Sequence, residues 1–184
     1  MNYLDEITKR LKTNEIRLKH TLGVADECVS IAKHYGLDVE KAESMGLLHD
    51  IAKIISYKDQ ENLMKQAGYD INMSRKIWHS YVGSYICEKE LGIKDQEILR
   101  GIRYHTTCHP EMTDLMKVLM IADMTETRVR DEEIGHKLRE ISLNGLNQAI
   151  AFKLNWIVST RDYETHPDTM NAYNKYVRYI ENEE

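Results

Sequence analysis

Apolar residues recur at helical spacing along most of the chain, and this periodicity restricts its fold more than any other feature. One such stripe contains the apolar side chains Leu18, Leu22, Ala25, Val29 and Ala32. Strand-like alternation is hard to find, and only two prolines occur in 184 residues. The pattern predicts an all-α helical bundle, and the length predicts a single domain over residues 1–184.

Capping residues predict where several helices begin and end. Asp38 is expected to cap a helix that runs through residues 49 and 50, and a helix at 17–35 is expected to stop at Gly36. Further helices are expected at 59–67 before Gly68, from Ser74, from Asp95, from Thr113 or Asp114, at 131–159 and at 169–180.

Charge and cysteine content narrow the classes of function. A formal net charge of -5 argues against a nucleic-acid binder, although a single nucleotide could still be held locally. No signal-peptide pattern and no membrane-length apolar run is visible, so we expect no membrane partner. The three cysteines lack CxxC pairing and are expected to be free thiols in a reducing cytoplasm. Beside His105 and His109, Cys108 is interpreted as a bystander thiol, with a ligand or nucleophile as the alternative.

The adjacent pair His49-Asp50 follows an apolar run and is the first candidate for a metal site. Imidazole nitrogen and carboxylate oxygen are both ligands for iron, manganese and zinc. A lone His-Asp dipeptide is common by chance, so the hypothesis needs further ligands elsewhere in the chain. Lys53 lies three residues after Asp50, which on a helix would place it on nearly the same face.

Further ionisable residues interrupt apolar stretches on other predicted helices. These are His20, His79, His105 and Asp123. Each could be an ordinary partly buried residue if taken alone. Buried ionisable groups need partners, and one shared metal ion would provide a partner for several of them at once.

The pattern of these residues resembles a known family. The order His20, His49-Asp50, Asp123 is similar to the H…HD…D signature of the HD-domain metal-dependent phosphohydrolases. Longer segments resemble the YqeK branch, the bacterial symmetrical diadenosine tetraphosphate hydrolases. They are RLKHTLGVA at 17–25, GLLHDIAK at 46–53, His79 with Val82-Gly83, IRYHTT at 102–107, and HPDT at 166–169 with Asn174.

The resemblance implies a single HD-domain helical bundle, with a metal core at about 15–128 and C-terminal helices at about 131–183. It implies that His20, His49, Asp50 and Asp123 bind a divalent metal. Iron is favoured, with manganese, cobalt, magnesium and zinc as alternatives, and one ion is favoured over two. The implied reaction is symmetrical hydrolysis of diadenosine tetraphosphate to two ADP by metal-activated water. A homodimer is also expected.

The resemblance also assigns roles to individual residues. The expected catalytic residues are Asp50, Lys53, His79 and His105. The expected substrate-binding residues are His20, Asp50, Ile51, Ala52, Lys53, His79, His105, Thr106, Asp123, Arg128, Thr169 and Met170. Arg17, one helical turn before His20, is expected to orient a carboxylate or to contact the substrate.

Two positions depart from the pattern of the branch. Cys108 stands where the branch has glycine, and Val129 stands where it has an arginine, which Arg128 or Arg130 would then replace. Alternative functions are a phosphatase for another nucleotide or a phosphomonoester, a non-catalytic nucleotide-binding module and a helical interaction protein.

Overall fold

A computed structural model describes residues 3–160 and 166–180, and over these residues the chain is helical, with no β-strand. The helices are α1 Tyr3–Leu11, α2 Glu15–His34, α3 Val39–Leu48, α4 Tyr57–Ala67, α5 Arg75–Lys89, α6 Gln96–Tyr104, α7 Asp114–Thr125, α8 Glu133–Asn144, α9 Leu146–Thr160 and α10 Pro167–Tyr176. A 3₁₀ turn, Val177–Tyr179, follows α10. The predicted all-α fold is therefore confirmed.

Side-chain caps account for many of the helix starts. In these caps a side-chain oxygen accepts a hydrogen bond from a backbone N–H of the first helical turn. The capping residues of α2 to α7 are, in chain order, Asn14, Asp38, Ser56, Ser74, Asp95 and Thr113. Gly68 ends α4 with φ 71°, in the left-handed region that favours glycine.

Helix α7 lies at the centre of the bundle. It packs against α2, α3, α6, α8 and α9, and every residue from Leu115 to Ala122 is buried. A helix that is apolar on all sides is stable only when its neighbours cover it all round. The carboxylate of Asp123, one residue beyond this segment, is thereby brought into the interior of the fold.

A close approach between α2 and α3 sets the position of two histidines. A Cβ atom added to Gly46 would lie 2.6 Å from Cα of Ala25, so the two helices touch through backbone at this point. This contact brings the ring of His20, on α2, to 5.4 Å from the ring of His49, just after α3. Glycine at position 46 therefore sets how near the two imidazoles can come.

The structure differs from the predicted boundaries in three places. Helix α3 ends at Leu48, so His49 and Asp50 lie in a run of turns rather than inside a helix. The expected single helix at 131–159 is divided at Gly145, whose extended backbone ends α8 and lets α9 pack back against it. Helix α1, which closes over α2 and α3, was not expected from the sequence.

The proposed domain, residues 1–184, with its core at 15–128 and C-terminal helices at 131–183, stays a prediction. Residues 1–2, 161–165 and 181–184 lie outside the described part of the chain. Within the described part, none of the helices combines the length and the apolar character needed to cross a membrane.

Candidate metal centre and substrate cavity

Three distant parts of the chain bring their ligand atoms to one point inside the bundle. Nε2 of His20 lies 3.2 Å from Oδ1 of Asp123 and 4.0 Å from Oδ2 of Asp50. Nε2 of His49 lies 3.6 Å from the same Asp50 oxygen and 3.8 Å from the same Asp123 oxygen. We call His20, His49, Asp50 and Asp123 the central cluster. All four residues named as metal ligands from the sequence lie in it.

Hydrogen bonds on the far side of each ring fix its tautomer. Nδ1 of His49 lies 2.7 Å from the carbonyl oxygen of Gly46, and Nδ1 of His20 lies 2.8 Å from a carboxylate oxygen of Glu126. Carbonyl and carboxylate oxygens only accept hydrogen bonds, so each Nδ1 carries a proton and donates it. Nε2 of each ring then faces the central cluster.

The central cluster fits a divalent cation. Nε2 of His20 and Nε2 of His49 are buried without a hydrogen bond among the described residues. Ligand atoms of His20, His49 and Asp50 lie within 4.8 Å of one another. Unpaired buried nitrogens are costly unless something binds them. Nitrogen and carboxylate donors in this mixture suit iron, manganese or zinc.

Protonation in the central cluster also favours a cation. Burial lowers the pKa of His49 to about 4, so its ring is neutral near pH 7. Burial would raise the pKa of Asp50 and of Asp123, but neighbouring histidines, and Arg130 beside Asp123, outweigh it and hold both carboxyl pKa values well below the usual range. Two ionised carboxylates and a neutral imidazole are the protonation states in which these side chains bind metal.

Asp50 also contacts a second group of polar side chains. Its Oδ1 lies 3.3 Å from Nε2 of His79 and 3.7 Å from Nε2 of His105, and its Oδ2 accepts a hydrogen bond from Arg17 at 2.5 Å. Ligand atoms of Asp50, His79 and His105 are close enough together to hold an ion as well. The carboxylate of Asp50 therefore contacts the central cluster on one side and Arg17, His79 and His105 on the other.

Lys53 lies beside His79 although no helix places it there. A turn bond from its N–H to the carbonyl of Asp50 keeps it on the same side, and its Nζ lies 3.2 Å from Nε2 of His79. Burial lowers the pKa of Lys53, with attraction from Asp50 opposing it, and burial also lowers the pKa of His79 to about 3. The ammonium of Lys53 is thus held against a neutral imidazole.

Glu126 lies in the site but was not predicted from the sequence. Its side chain is buried, and its Oε2 accepts backbone hydrogen bonds from Arg128 at 2.8 Å and Val129 at 3.2 Å while Oε1 holds His20. A signal was present, because Glu126 lies one helical turn after Asp123 beside an apolar run. This carboxylate fixes both the ring of His20, a candidate metal ligand, and the turn after α7.

A cavity of about 950 Å³ opens next to the central cluster. Asp50, Lys53, His79, His105 and Asp123 line its polar side. It is also lined by Met124, Trp156, Ile157, Pro167 and Thr169, which we call the apolar wall. A volume of this size with a largely apolar wall and a few converging polar groups is typical of a small-molecule site.

The structure places some of the expected substrate residues away from this cavity. Ile51 and Ala52 are buried in the core, and Met170 is not part of the cavity wall. Arg128 forms an exposed ion pair with Asp26 on α2. Arg130 lines the cavity instead and donates to the backbone carbonyl of Asp123 at 2.9 Å.

The segment after α6 forms another part of the wall. Thr106 and Thr107 line the cavity, and the hydroxyl of Thr169 donates to the carbonyl of Thr107 at 2.5 Å. Cys108 follows with φ 64°, in the left-handed region. This conformation explains why glycine would suit position 108.

All three cysteines are buried free thiols, and burial raises the pKa of Cys87 to about 12.

Comparison with known proteins gives consistent results. Residues 17–128 match the family model described as HD domain. The symmetrical bis(5'-nucleosyl)-tetraphosphatase of Bacillus subtilis is 32% identical over 166 residues, which cover 87% of this chain and 89% of that protein. The protein of the same description from Staphylococcus aureus is 37% identical over 127 residues, 66% of each chain.

A solved structure is similar over nearly the whole fold. It is the crystal structure of a predicted HD superfamily hydrolase involved in NAD metabolism from Clostridium acetobutylicum. The TM-score is 0.84 at 30% sequence identity, and the match covers 95% of this chain and 96% of that chain. The similarity therefore includes the C-terminal helices that form the apolar wall of the cavity.

Proposed function

We propose that this chain, which belongs to the HD domain family, is a metal-dependent phosphohydrolase that cleaves diadenosine tetraphosphate symmetrically into two ADP. The observation that carries the proposal is the central cluster, with its two unpaired imidazole nitrogens and two ionised carboxylates at the edge of a nucleotide-sized cavity. Relatives named symmetrical tetraphosphatases match most of the chain, which supports this substrate over another nucleotide or a phosphomonoester.

His20, His49, Asp50 and Asp123 would hold the divalent ion. When bound, such an ion supplies Lewis acidity to a phosphoryl group and lowers the pKa of water. The protein itself positions the ligands and controls their charge. Glu126 and the carbonyl of Gly46 keep the two rings in position, and Asp50 retains its charge next to Arg17.

Cationic side chains around the central cluster would receive the polyphosphate. Lys53, Arg17 and Arg130 all line the cavity, and Arg130 lies 3.6 Å from Oδ1 of Asp123. Phosphate oxygens carry several negative charges in a row, and charge-assisted hydrogen bonds are the strong ones in such a site. These three cations would hold the polyphosphate beside the central cluster.

His79 and His105 would act on the leaving phosphate. Both rings lie within 4 Å of Asp50, and His79 also contacts the ammonium of Lys53. Nδ1 of His105 donates to the carbonyl of Ile102 at 2.8 Å, which leaves its Nε2 directed at the cavity. The pair Lys53–His79 can donate hydrogen bonds to the departing nucleoside diphosphate as negative charge develops on it.

One nucleoside would lie against the apolar wall. Trp156, Ile157 and Pro167 offer flat apolar surface, and Thr107 and Thr169 offer polar atoms beside it. A nucleobase needs an apolar face for its ring and polar groups at its edge, and this wall provides both.

Finer assignments belong to the same proposal. Iron is favoured by the mixed nitrogen and carboxylate donors, and a second ion could be held by Asp50, His79 and His105. Exposed apolar side chains such as Leu143 on α8 and Ile180 support a homodimer, which light scattering on the purified protein would detect. Buried free thiols support a cytoplasmic location.

A product assay tests the proposal. Purified protein is incubated with diadenosine tetraphosphate and a panel of divalent metals, and the products are separated by chromatography. ADP as the sole product supports symmetrical cleavage. A mixture of ATP and AMP contradicts the mechanism, and turnover of other nucleotides or phosphomonoesters alone contradicts the substrate.

A further inference from the structure

We propose that a second cavity, beside α4 and α5, holds the other nucleoside half of the dinucleotide. This inference rests on the proposed function, because it assigns the part of the substrate that lies beyond the scissile bond. The cavity has a volume of about 560 Å³. It shares Lys53, Lys76 and His79 with the larger cavity, so the two spaces meet beside the central cluster.

The charge of the second cavity fits a phosphate chain. Lys53, Arg75 and Lys76 line it, and none of its described lining residues is acidic. The larger cavity, in contrast, includes the carboxylates of Asp50, Asp70, Asp123 and Glu132. The chain as a whole has a net charge of -5, so a cavity lined by these three cations forms a distinct local environment. These cations would attract phosphate groups of the substrate that extend from the central cluster into the second cavity.

An aromatic ring in the second cavity fits a nucleobase. Tyr57 lines the cavity, and 53% of the residue is exposed, which is unusual for a large aromatic side chain. Its ring is T-shaped to buried Trp78, with 6.4 Å between centroids, and Arg75 lies over the same indole at 5.5 Å. The contact with Trp78 positions Tyr57 beside the cavity, and the exposed part of its ring is available for stacking.

A polar group at the back of the second cavity lacks a partner. Gln60 lines the cavity and is 3% exposed. Its amide nitrogen donates to the carbonyl of Ile55 at 2.8 Å, and its amide oxygen has no hydrogen bond among the described residues. A buried acceptor without a donor is costly, and a hydroxyl or amino group of a bound nucleoside would satisfy it.

Symmetrical cleavage leaves a second nucleoside beyond the scissile bond, and the second cavity offers a place for it. Cleavage in the middle of the tetraphosphate places one ADP on each side of the central cluster. The apolar wall at Trp156 and Thr169 can hold one nucleoside, and Tyr57 can hold the other across Lys53 and His79. The two halves are chemically identical, but the two half-sites are not, so one ADP should bind more tightly than the other.

Kinetics on two substrates tests the assignment. Diadenosine tetraphosphate has two nucleosides, and adenosine 5'-tetraphosphate has one, which the apolar wall would take. We expect Tyr57→Ala to raise KM for the dinucleotide about tenfold, because stacking on an exposed ring contributes on this order. KM for the mononucleotide should not change. Tyr57→Phe should behave like the wild type.

Ile54→Ala is the matched control, because Ile54 is 40% exposed in the same segment and lines neither cavity. It should leave both KM values unchanged. Equal increases for both substrates in Tyr57→Ala would overturn the assignment, because the ring would then act on the site in general. Unchanged KM for both substrates would overturn it too.

Calorimetry separates this inference from the proposed function. ADP is titrated into the wild type and into Tyr57→Ala, without any need for turnover. Two ADP molecules per wild-type chain and one per variant chain support the second half-site even if the dinucleotide is not hydrolysed. A single ADP per wild-type chain overturns it even if hydrolysis is observed.

Discussion

The central cluster and the second cavity are adjacent but differ in almost every physical property. In the cluster, Asp50 is 3% exposed and the rings of His20 and His49 are buried with fixed tautomers. In the second cavity, Tyr57 and Arg75 are exposed, and the charges are all positive. A buried side chain of the cluster that loses its neighbour has no water to replace it. Exposed side chains such as Tyr57 and Arg75 can be hydrated instead.

This difference predicts how each region responds to change. Removing a buried ligand leaves its neighbours unpaired, so the loss should be large and should affect the metal itself. Removing an exposed cation or ring leaves the fold and the metal intact, so the loss should be smaller and limited to the substrate. Four substitutions test this contrast, in order of decreasing effect.

Asp50→Ala should have the largest effect. Asp50 belongs to both groups of candidate ligands, so we expect hydrolysis to fall roughly a thousandfold or more and bound metal to be lost. Metal content by mass spectrometry and ADP release measure the two effects. Asp26→Ala is the control. It removes an exposed carboxylate of the same helix bundle and should leave hydrolysis and bound metal unchanged. Full turnover in Asp50→Ala would break the contrast.

Glu126→Ala should come second, because Glu126 contacts a ligand and not the ion. Loss of such a partner typically weakens metal binding about 10- to 100-fold. Metal titration followed by activity gives the apparent dissociation constant, and excess metal should restore part of the turnover. Glu126→Gln keeps one acceptor oxygen and should be intermediate. An unchanged metal affinity would show that His20 does not need its buried partner.

Lys53→Ala should affect the substrate without affecting the metal. One charge-assisted hydrogen bond to phosphate is lost from a partly open position, so kcat/KM should fall about tenfold. Metal content should equal that of the wild type. Lys58→Ala, an exposed lysine on α4 outside both cavities, is the control. If Lys53→Ala also lost its metal, the boundary between the two regions would have to be moved.

Cys108→Gly should have the smallest effect, on stability and not on activity. Glycine relieves the left-handed strain of a β-carbon, while the buried thiol loses its packing, so the free energy of unfolding should change by about 1 kcal/mol or less. Urea unfolding measures it. Gly68→Ala, at φ 71° with open space around it, places a β-carbon in the same conformation and should destabilise by about 1 kcal/mol. A large loss of activity in Cys108→Gly would contradict the bystander interpretation.

Much of the central cluster could be predicted from the sequence. The apolar stretches of the sequence are interrupted by His20, His49, Asp50 and Asp123. An ionisable residue within an apolar stretch indicates a buried ionisable group. Lys53 was expected near Asp50 because a spacing of three was taken as helical. The structure has a turn bond there instead, so a different backbone geometry places Lys53 next to Asp50.

The remaining site depends on geometry that spacing does not contain. Arg130 lines the cavity and Arg128 pairs with Asp26, and only the path of the turn after α7 decides between them. Trp156 and Tyr57 resemble ordinary helix residues in the sequence. Their proposed roles depend on which helices pack together, and the aromatic contact with Trp78 has no local signature.

The two oxygens of Glu126 have a consequence for how this site could evolve. One oxygen accepts a hydrogen bond from the ring of His20, a candidate metal ligand, and the other holds the turn that carries Arg130 to the cavity. If His20 binds the metal and Arg130 binds phosphate, as proposed above, metal affinity and substrate affinity are thermodynamically coupled through a single side chain. Substitutions at Glu126 and Arg130 should then be non-additive in a double-mutant cycle. A lineage that changed its phosphate contact through this turn would alter its metal site in the same step.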